Sequence, residues 1–236
     1  MSMVAPPRFQ WDYDVPNDAF WNSLPFTTGR NFLQCFSATE IQPMAWQFDE
    51  GLSTDDKHRL LLKLAEKKLT DVERAARTLG PLYEVDYDAW QKLMLALETM
   101  QHNLGLIAEE EKTLKVMLEH SLPGQEKNWS ALNMMSRLLH DQGRYAEREQ
   151  AALEVQPWME AHPRIGRGSP PAMGNIRMIL TAVWEQRWFE EAQRVYEDMR
   201  VLVDDTDETK FAQYQKEERQ MLQDLMAELE KWKQES

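Results

Sequence analysis

The sequence predicts an all-α protein, and three observations carry that prediction. From Ser53 onward apolar residues recur at helical spacing, as in Leu60, Leu61, Leu64 and Ala65, and no alternating β-branched segment follows. Only nine glycines occur in 236 residues, roughly half the usual frequency of about 7%, which disfavours turn-rich β folds. Three segments of one design recur along the chain, each closing an apolar helix and opening another.

Taken in order, residues 1–50 form an aromatic and proline-rich segment. It holds ten of the 23 aromatics (Phe9, Trp11, Tyr13, Phe20, Trp21, Phe26, Phe32, Phe36, Trp46 and Phe48) and Pro6, Pro7, Pro16, Pro25 and Pro43. The prolines break any long helix, leaving a short one at Asp18 to Leu24. So many rings do not stay in water, so the segment is expected to wind over a helical body and dock there. Residues 51–203 are the helical body. Ser53 to Asp56 supplies an N-cap and an acidic first turn. Gly80-Pro81, Pro123-Gly124 and the stretch from Pro163 to Pro171 are stop signals, and Pro157 is expected to kink or end its helix. Residues 204–236 are read as a long amphipathic helix, about Asp207 to Gln234, carrying Phe211, Tyr214, Met221, Leu222, Leu225, Leu229 and Trp232 on one side. It is expected to cap the body or to mediate self-association.

Composition narrows the function. The chain carries 27 basic and 40 acidic residues, a net charge of -13 that repels phosphate backbones, so no nucleic-acid partner is expected. No run of about 18 apolar residues suggests a membrane span, and no apolar leader is recognised near Met1. With one cysteine, Cys35, there is no disulfide framework or multi-cysteine metal site. A cytoplasmic location is expected. Asn128-Trp129-Ser130 matches a glycosylation acceptor and is read as a chance match.

The recurring segments are Gly105-Leu106-Ile107-Ala108-Glu109, Gly143-Arg144-Tyr145-Ala146-Glu147 and Arg187-Trp188-Phe189-Glu190-Glu191, with Lys67-Lys68-Leu69-Thr70-Asp71 as a weaker fourth. Their offsets are roughly 38, 38 and 44 residues, inside the range of helical repeats. The first slot suits glycine, which adopts a left-handed cap. Two residues on, Leu69, Ile107, Tyr145 or Phe189 would wedge between two helices. An acid follows at the start of the second helix, where it complements the helix dipole. Leu114, Met117, Ala152, Val155, Tyr196 and Met199 are the buried side of the second helices.

The stretches "LLHDQGRYAERE" and "VWEQRWFEEAQ" resemble the tetratricopeptide repeat (TPR) family, and the resemblance covers about residues 55–200. It implies antiparallel helix pairs stacked as a right-handed superhelix, with first helices lining a concave groove, and a protein-interaction role. The pattern departs at several slots. The small residue early in the second helix is Ala192 in one copy but Val72, Glu110 and Arg148 elsewhere, and Arg187 stands in a glycine slot. In the first helices Ser136 is small, against Leu60, Glu98 and Leu180.

With the repeat phase so fixed, the groove-facing residues are Thr99, His102, Asn133, Arg137, His140, Arg177, Thr181 and Trp184. Polar and aromatic side chains can grip a peptide or helix, and Arg suits a carboxylate or phosphate. Residues 126–170 carry six basic and six acidic side chains, a neutral stretch in an acidic chain. Another protein or peptide, with an acidic or anionic group, is the expected partner. No His-x-x-x-His, phosphate-binding loop or Gly-x-Ser-x-Gly motif occurs, so no catalytic residue, metal or cofactor is assigned. Gly166 to Ser169 is read as a connector in preference to an anion cradle, Glu98, His102 and His140 as a surface hydrogen-bond pair in preference to an acid–base or metal site, and Cys35 as an inert thiol in preference to a nucleophile. The alternative is a small-molecule binder or enzyme whose pocket is closed by the N-terminal rings beside Arg137, His140 and Trp184.

Overall fold

The computed structural model describes residues 15–121, 124–208 and 210–235. The described residues are helical with no strand. Pro6, Pro7, Phe9, Trp11, Tyr13 and Pro123 lie outside them. The chain divides into two compact units, 1–126 and 127–236.

In the first unit, α1 (Ala19–Asn22), α2 (Phe26–Leu33) and α3 (Ala38–Ile41) lead through a 3-10 turn at Gln42–Gln47 to α4 (Thr54–Ala76), α5 (Leu82–Val85), α6 (Tyr87–Asn103) and α7 (Ile107–Glu119). α4 begins where Ser53 Oγ accepts from the Asp56 amide at 3.1 Å. It runs without a break through Lys67 to Asp71. The weaker fourth segment is therefore not a turn. It lacks a glycine, and Lys67 pairs with Asp71 one helical turn on, at 2.5 Å, which favours continued helix.

Helix α6 is the centre of this unit and packs against α2, α4, α5 and α7. Phe20, Trp21, Leu24 and Phe32 are buried in one cluster with Leu61 of α4 and Met100 of α6. The Trp21 and Phe32 ring centroids lie 5.9 Å apart, and Phe32 and Phe36 lie 4.7 Å apart. Polar contacts fix the segment's register: Asn31 Nδ2 donates to Thr99 Oγ1 at 2.8 Å, Asn103 Nδ2 to Thr28 Oγ1 at 3.0 Å and Lys57 Nζ to Ser23 Oγ at 2.8 Å. Burying rings of this size stabilises by about 2–3 kcal/mol each.

In the second unit, α8 (Trp129–Asp141), α9 (Tyr145–Ala161), α10 (Pro170–Glu185) and α11 (Phe189–Asp204) precede two 3-10 turns at Asp205–Glu208 and Ala212–Tyr214, then α12 (Gln215–Glu235). The last helix starts later than expected: Phe211 and Tyr214 precede it, with Phe211 buried. Helix α9 continues through Pro157 for four residues. So late in a helix proline removes a single backbone bond, to Leu153, whose side chain is exposed. Asn128 caps α8 by accepting from the Ala131 amide at 3.1 Å and is itself buried, so it offers no accessible glycan acceptor.

Helix α10 is the centre here, touching α8, α9, α11 and α12. Ser169 caps it, accepting from the Ala172 amide at 3.3 Å, with Pro170 at the first helical position. The stretch from Gly166 is thus a helix-capping turn. Asn175 Nδ2 donates to the Ala152 carbonyl at 2.8 Å and to Gln156 Oε1 at 2.9 Å, tying α10 to α9. Leu222 and Leu229 of α12 are buried with Leu180, Val183, Trp184 and Met199.

Candidate functional site

The three recurring segments build one backbone motif. Gly105, Gly143 and Arg187 have φ of 64°, 69° and 64°. Each closes its helix with the same pair of hydrogen bonds. In the first, the Gly105 amide donates to the His102 carbonyl at 3.0 Å and the Leu106 amide to Gln101 at 2.9 Å. Gly143 to His140 (2.9 Å) and Arg144 to Leu139 (2.8 Å) repeat it, as do Arg187 to Trp184 (2.8 Å) and Trp188 to Val183 (3.2 Å). A side chain in this left-handed conformation costs roughly 1–2 kcal/mol, so Arg187 holds it under strain. Among the apolar wedges, Ile107 is exposed while Tyr145 and Phe189 are half-buried. Phe189 meets Trp184 edge-on with ring centroids 5.0 Å apart.

This turn brings residues on its two sides into contact. In α8/α9, Arg148 Nη1 lies 2.6 Å from His140 Nδ1. Arginine can only donate, so Nδ1 accepts and the proton of the neutral ring sits on Nε2. Burial, and secondarily the Arg148 charge, hold this imidazole below its ordinary range. In α6/α7 the equivalent contact is His102 Nδ1 to Glu110 Oε1 at 3.2 Å. Charges thus stand where the repeat pattern has a small residue, and both Glu110 and Arg148 are buried. Ser136 is small, and its hydroxyl donates to the Arg148 carbonyl at 3.2 Å. The sequence signal was present in the departures from pattern, but spacing alone did not say what each charge touches.

The expected groove residues separate into three groups. Thr99 of α6 is buried beneath α2, bonded to Asn31, so it is no groove residue. His102 is half-buried against Glu110. On α10, Arg177 is ion-paired with buried Glu218 of α12, Thr181 donates to the Arg177 carbonyl at 2.8 Å, and Trp184 is buried. Arg177 and Trp184 are therefore occupied by the chain's own last helix, while the Thr181 hydroxyl is spent on its own helix. The helical phase places them on one side of α10, but a helix more than thirty residues downstream covers that side. Burial raises the Glu218 carboxyl above its ordinary range, against the opposing pull of Arg177.

The third group is the α8 stripe. Asn133, Arg137 and His140 follow one another at helical spacing, with Arg137 exposed and the other two half-buried. Ala131, Met135, Leu138 and Leu139 bury the rest of α8. Asn133 Oδ1 is a buried acceptor without a hydrogen-bond donor. The stripe thus sets the exposed Arg137 guanidinium between half-buried Asn133, whose carbonyl oxygen is turned inward, and the half-buried His140 ring.

The single cysteine is held as a neutral thiol. Burial pushes the Cys35 thiol up to about 12, and its Sγ donates to the Asn31 carbonyl at 3.3 Å. Among the described residues no group of three His, Cys, Asp or Glu side chains stands close enough to hold a metal ion, and no helix is long and apolar enough to cross a membrane.

The fold and this stripe define an all-helical protein of packed helices joined by repeated left-handed turns. Comparison with known protein families, curated proteins and solved structures returns no match.

Proposed function

We propose that the chain is a non-catalytic interaction adaptor of TPR-like helix pairs, which binds a peptide or helix of another protein along α8. The observation that carries this reading is the α8 stripe: Asn133, Arg137 and His140 share one side of a helix whose other side is buried. Three matching turns at repeat spacing support the TPR-like description. Arg137 suits an acidic or C-terminal carboxylate on the partner. A cytoplasmic setting agrees with a chain containing a single cysteine.

The test is affinity capture from native lysate, followed by titration of the recovered protein against purified wild type and Arg137→Glu. The two must first show equal helical circular dichroism. Loss of at least about tenfold in affinity, the scale of one charge-assisted hydrogen bond, supports the reading. A partner indifferent to Arg137→Glu, or no saturable partner, overturns it. Arg177→Glu is unsuitable, because it places a second carboxylate against buried Glu218.

A further inference from the structure

At one end of α10 in the second unit lies a cleft of about 350 Å³ lined by Trp184, Glu185, Arg187, Phe189, Trp232 and Lys233. Its walls are aromatic. Trp184 and Phe189 meet edge-on, and Trp232 is 49% exposed although it is one of the chain's largest apolar side chains. Two cations stand on its wall. In an acidic chain, Arg177, Arg194, Arg200 and Arg219 of this unit all pair with carboxylates. Among the described residues, Arg187 and Lys233 make no ion pair. The Lys233 ammonium instead lies 4.3 Å from the Phe189 ring centroid and 5.7 Å from that of Trp184. Arg187 occupies a left-handed position that glycine fills in both sister turns. Glu185, the one acid on the wall, is pushed up by burial and drawn down by Arg148.

We propose that this cleft binds a small aromatic monocarboxylate, a planar ring joined to one carboxylate by a short linker. The ring lies against Phe189, Trp184 and Trp232, while Arg187 and Lys233 receive the carboxylate. A volume near the lower end of ligand pockets, about 300 Å³, admits one ring and its acid rather than a folded segment. An arginine fork gives a carboxylate two parallel hydrogen bonds. Glycine would relieve the backbone at residue 187 but remove that fork. The site is independent of the α8 stripe and of the adaptor reading.

The experiment is isothermal titration of the full chain with 3-phenylpropionate, 3-phenylpropionamide and butanoate, repeated on Arg187→Gly and Lys233→Gln. The acid should bind, and the amide and the ringless acid should bind at least roughly tenfold more weakly. Each variant should lose roughly tenfold for the acid, with Arg187→Gly melting no lower than wild type. Equal binding of acid and amide, no binding at millimolar acid, or variants with unchanged affinity would overturn the proposal. A preference for N-acetyl-glycyl-phenylalanine over 3-phenylpropionate would transfer the cleft to a peptide C-terminus and overturn the small-molecule assignment. Arg137→Glu should leave this binding unchanged, which separates its failure from that of the adaptor reading.

Discussion

His140 and Arg148, eight positions apart, meet across the turn between α8 and α9 with Nδ1 and Nη1 2.6 Å from each other. The same offset joins His102 to Glu110 at 3.2 Å, and it places Trp184 and Ala192 in one apolar cluster. One backbone turn thus supports three chemistries: a basic pair, an acidic pair and an apolar pair. Among the described residues the His140 side chain is the only hydrogen-bond acceptor of the Arg148 guanidinium, whose Nε is buried without a partner.

His140→Ala should therefore destabilise the second unit by about 2 kcal/mol, the cost of a buried charged donor losing its acceptor. Urea unfolding followed by circular dichroism measures it. Arg148→Met should raise the His140 pKa toward its ordinary value, because one of the two influences lowering it is removed. Histidine NMR titration reads this, and an unchanged pKa refutes it.

Stability should fall on mild acidification. His58, His140 and His162 all have folded pKa values below the ordinary value of 6.5, in each case chiefly through burial. Above that value both folded and unfolded forms are neutral, so folding carries no penalty. As pH falls from 6.5 through the lowered folded values, the unfolded chain binds protons first and stability is lost. His58 is buried, and that burial outweighs the opposing pull of Asp55 and the Thr54 backbone. His58→Leu should flatten the melting temperature profile between pH 7 and 5, and a profile as steep as wild type would contradict this.

Arg177 and Glu218 fasten α12 to α10 with side chains 20% and 2% exposed. Arg177→Ala should cost about 3 kcal/mol by leaving a buried carboxylate unpaired, whereas Arg177→Met with Glu218→Met should be close to neutral. Faster amide hydrogen exchange along α12 in the single variant, restored in the double, is the expected signature.

No atom lies within 4 Å of a Cβ built on Gly143, so Gly143→Ala tests backbone conformation without a clash. It should cost about 1 kcal/mol, and Arg187→Gly should return a comparable amount. Thermal melting of the two variants decides the point. Shifts of the same sign would contradict it.

Phe20, Trp21 and Phe32 belong to the core of the first unit, whereas Phe26 and Trp46, expected to dock with them, are exposed. Trp21→Ala should destabilise that unit by about 3–4 kcal/mol. Deleting residues 1–50 should expose Leu61 and Met100 and give an aggregating chain. A soluble truncation with an unchanged melting profile would show that the segment is a detachable ligand instead.

The sequence by itself determined most of the helices and three of the four turns read from it, the Lys67 to Asp71 segment being continuous helix. Helical spacing placed α6, α8 and α10, and the repeated segments marked three left-handed caps, because both depend on residues within a turn or two of one another. It also placed Asn133, Arg137 and His140 on one side of α8. The tertiary structure alone decided which helix sides remain open. Thr99 lies under α2, and Arg177 and Trp184 lie against α12, because the apolar faces of those distant segments bury more surface on α6 and α10 than water contact would leave them. The cleft at Arg187 and Lys233 arises the same way: residues 46 positions apart meet only once Leu222 and Leu229 have docked their helix. Local periodicity says which side a residue faces, and only packing says what stands in front of it.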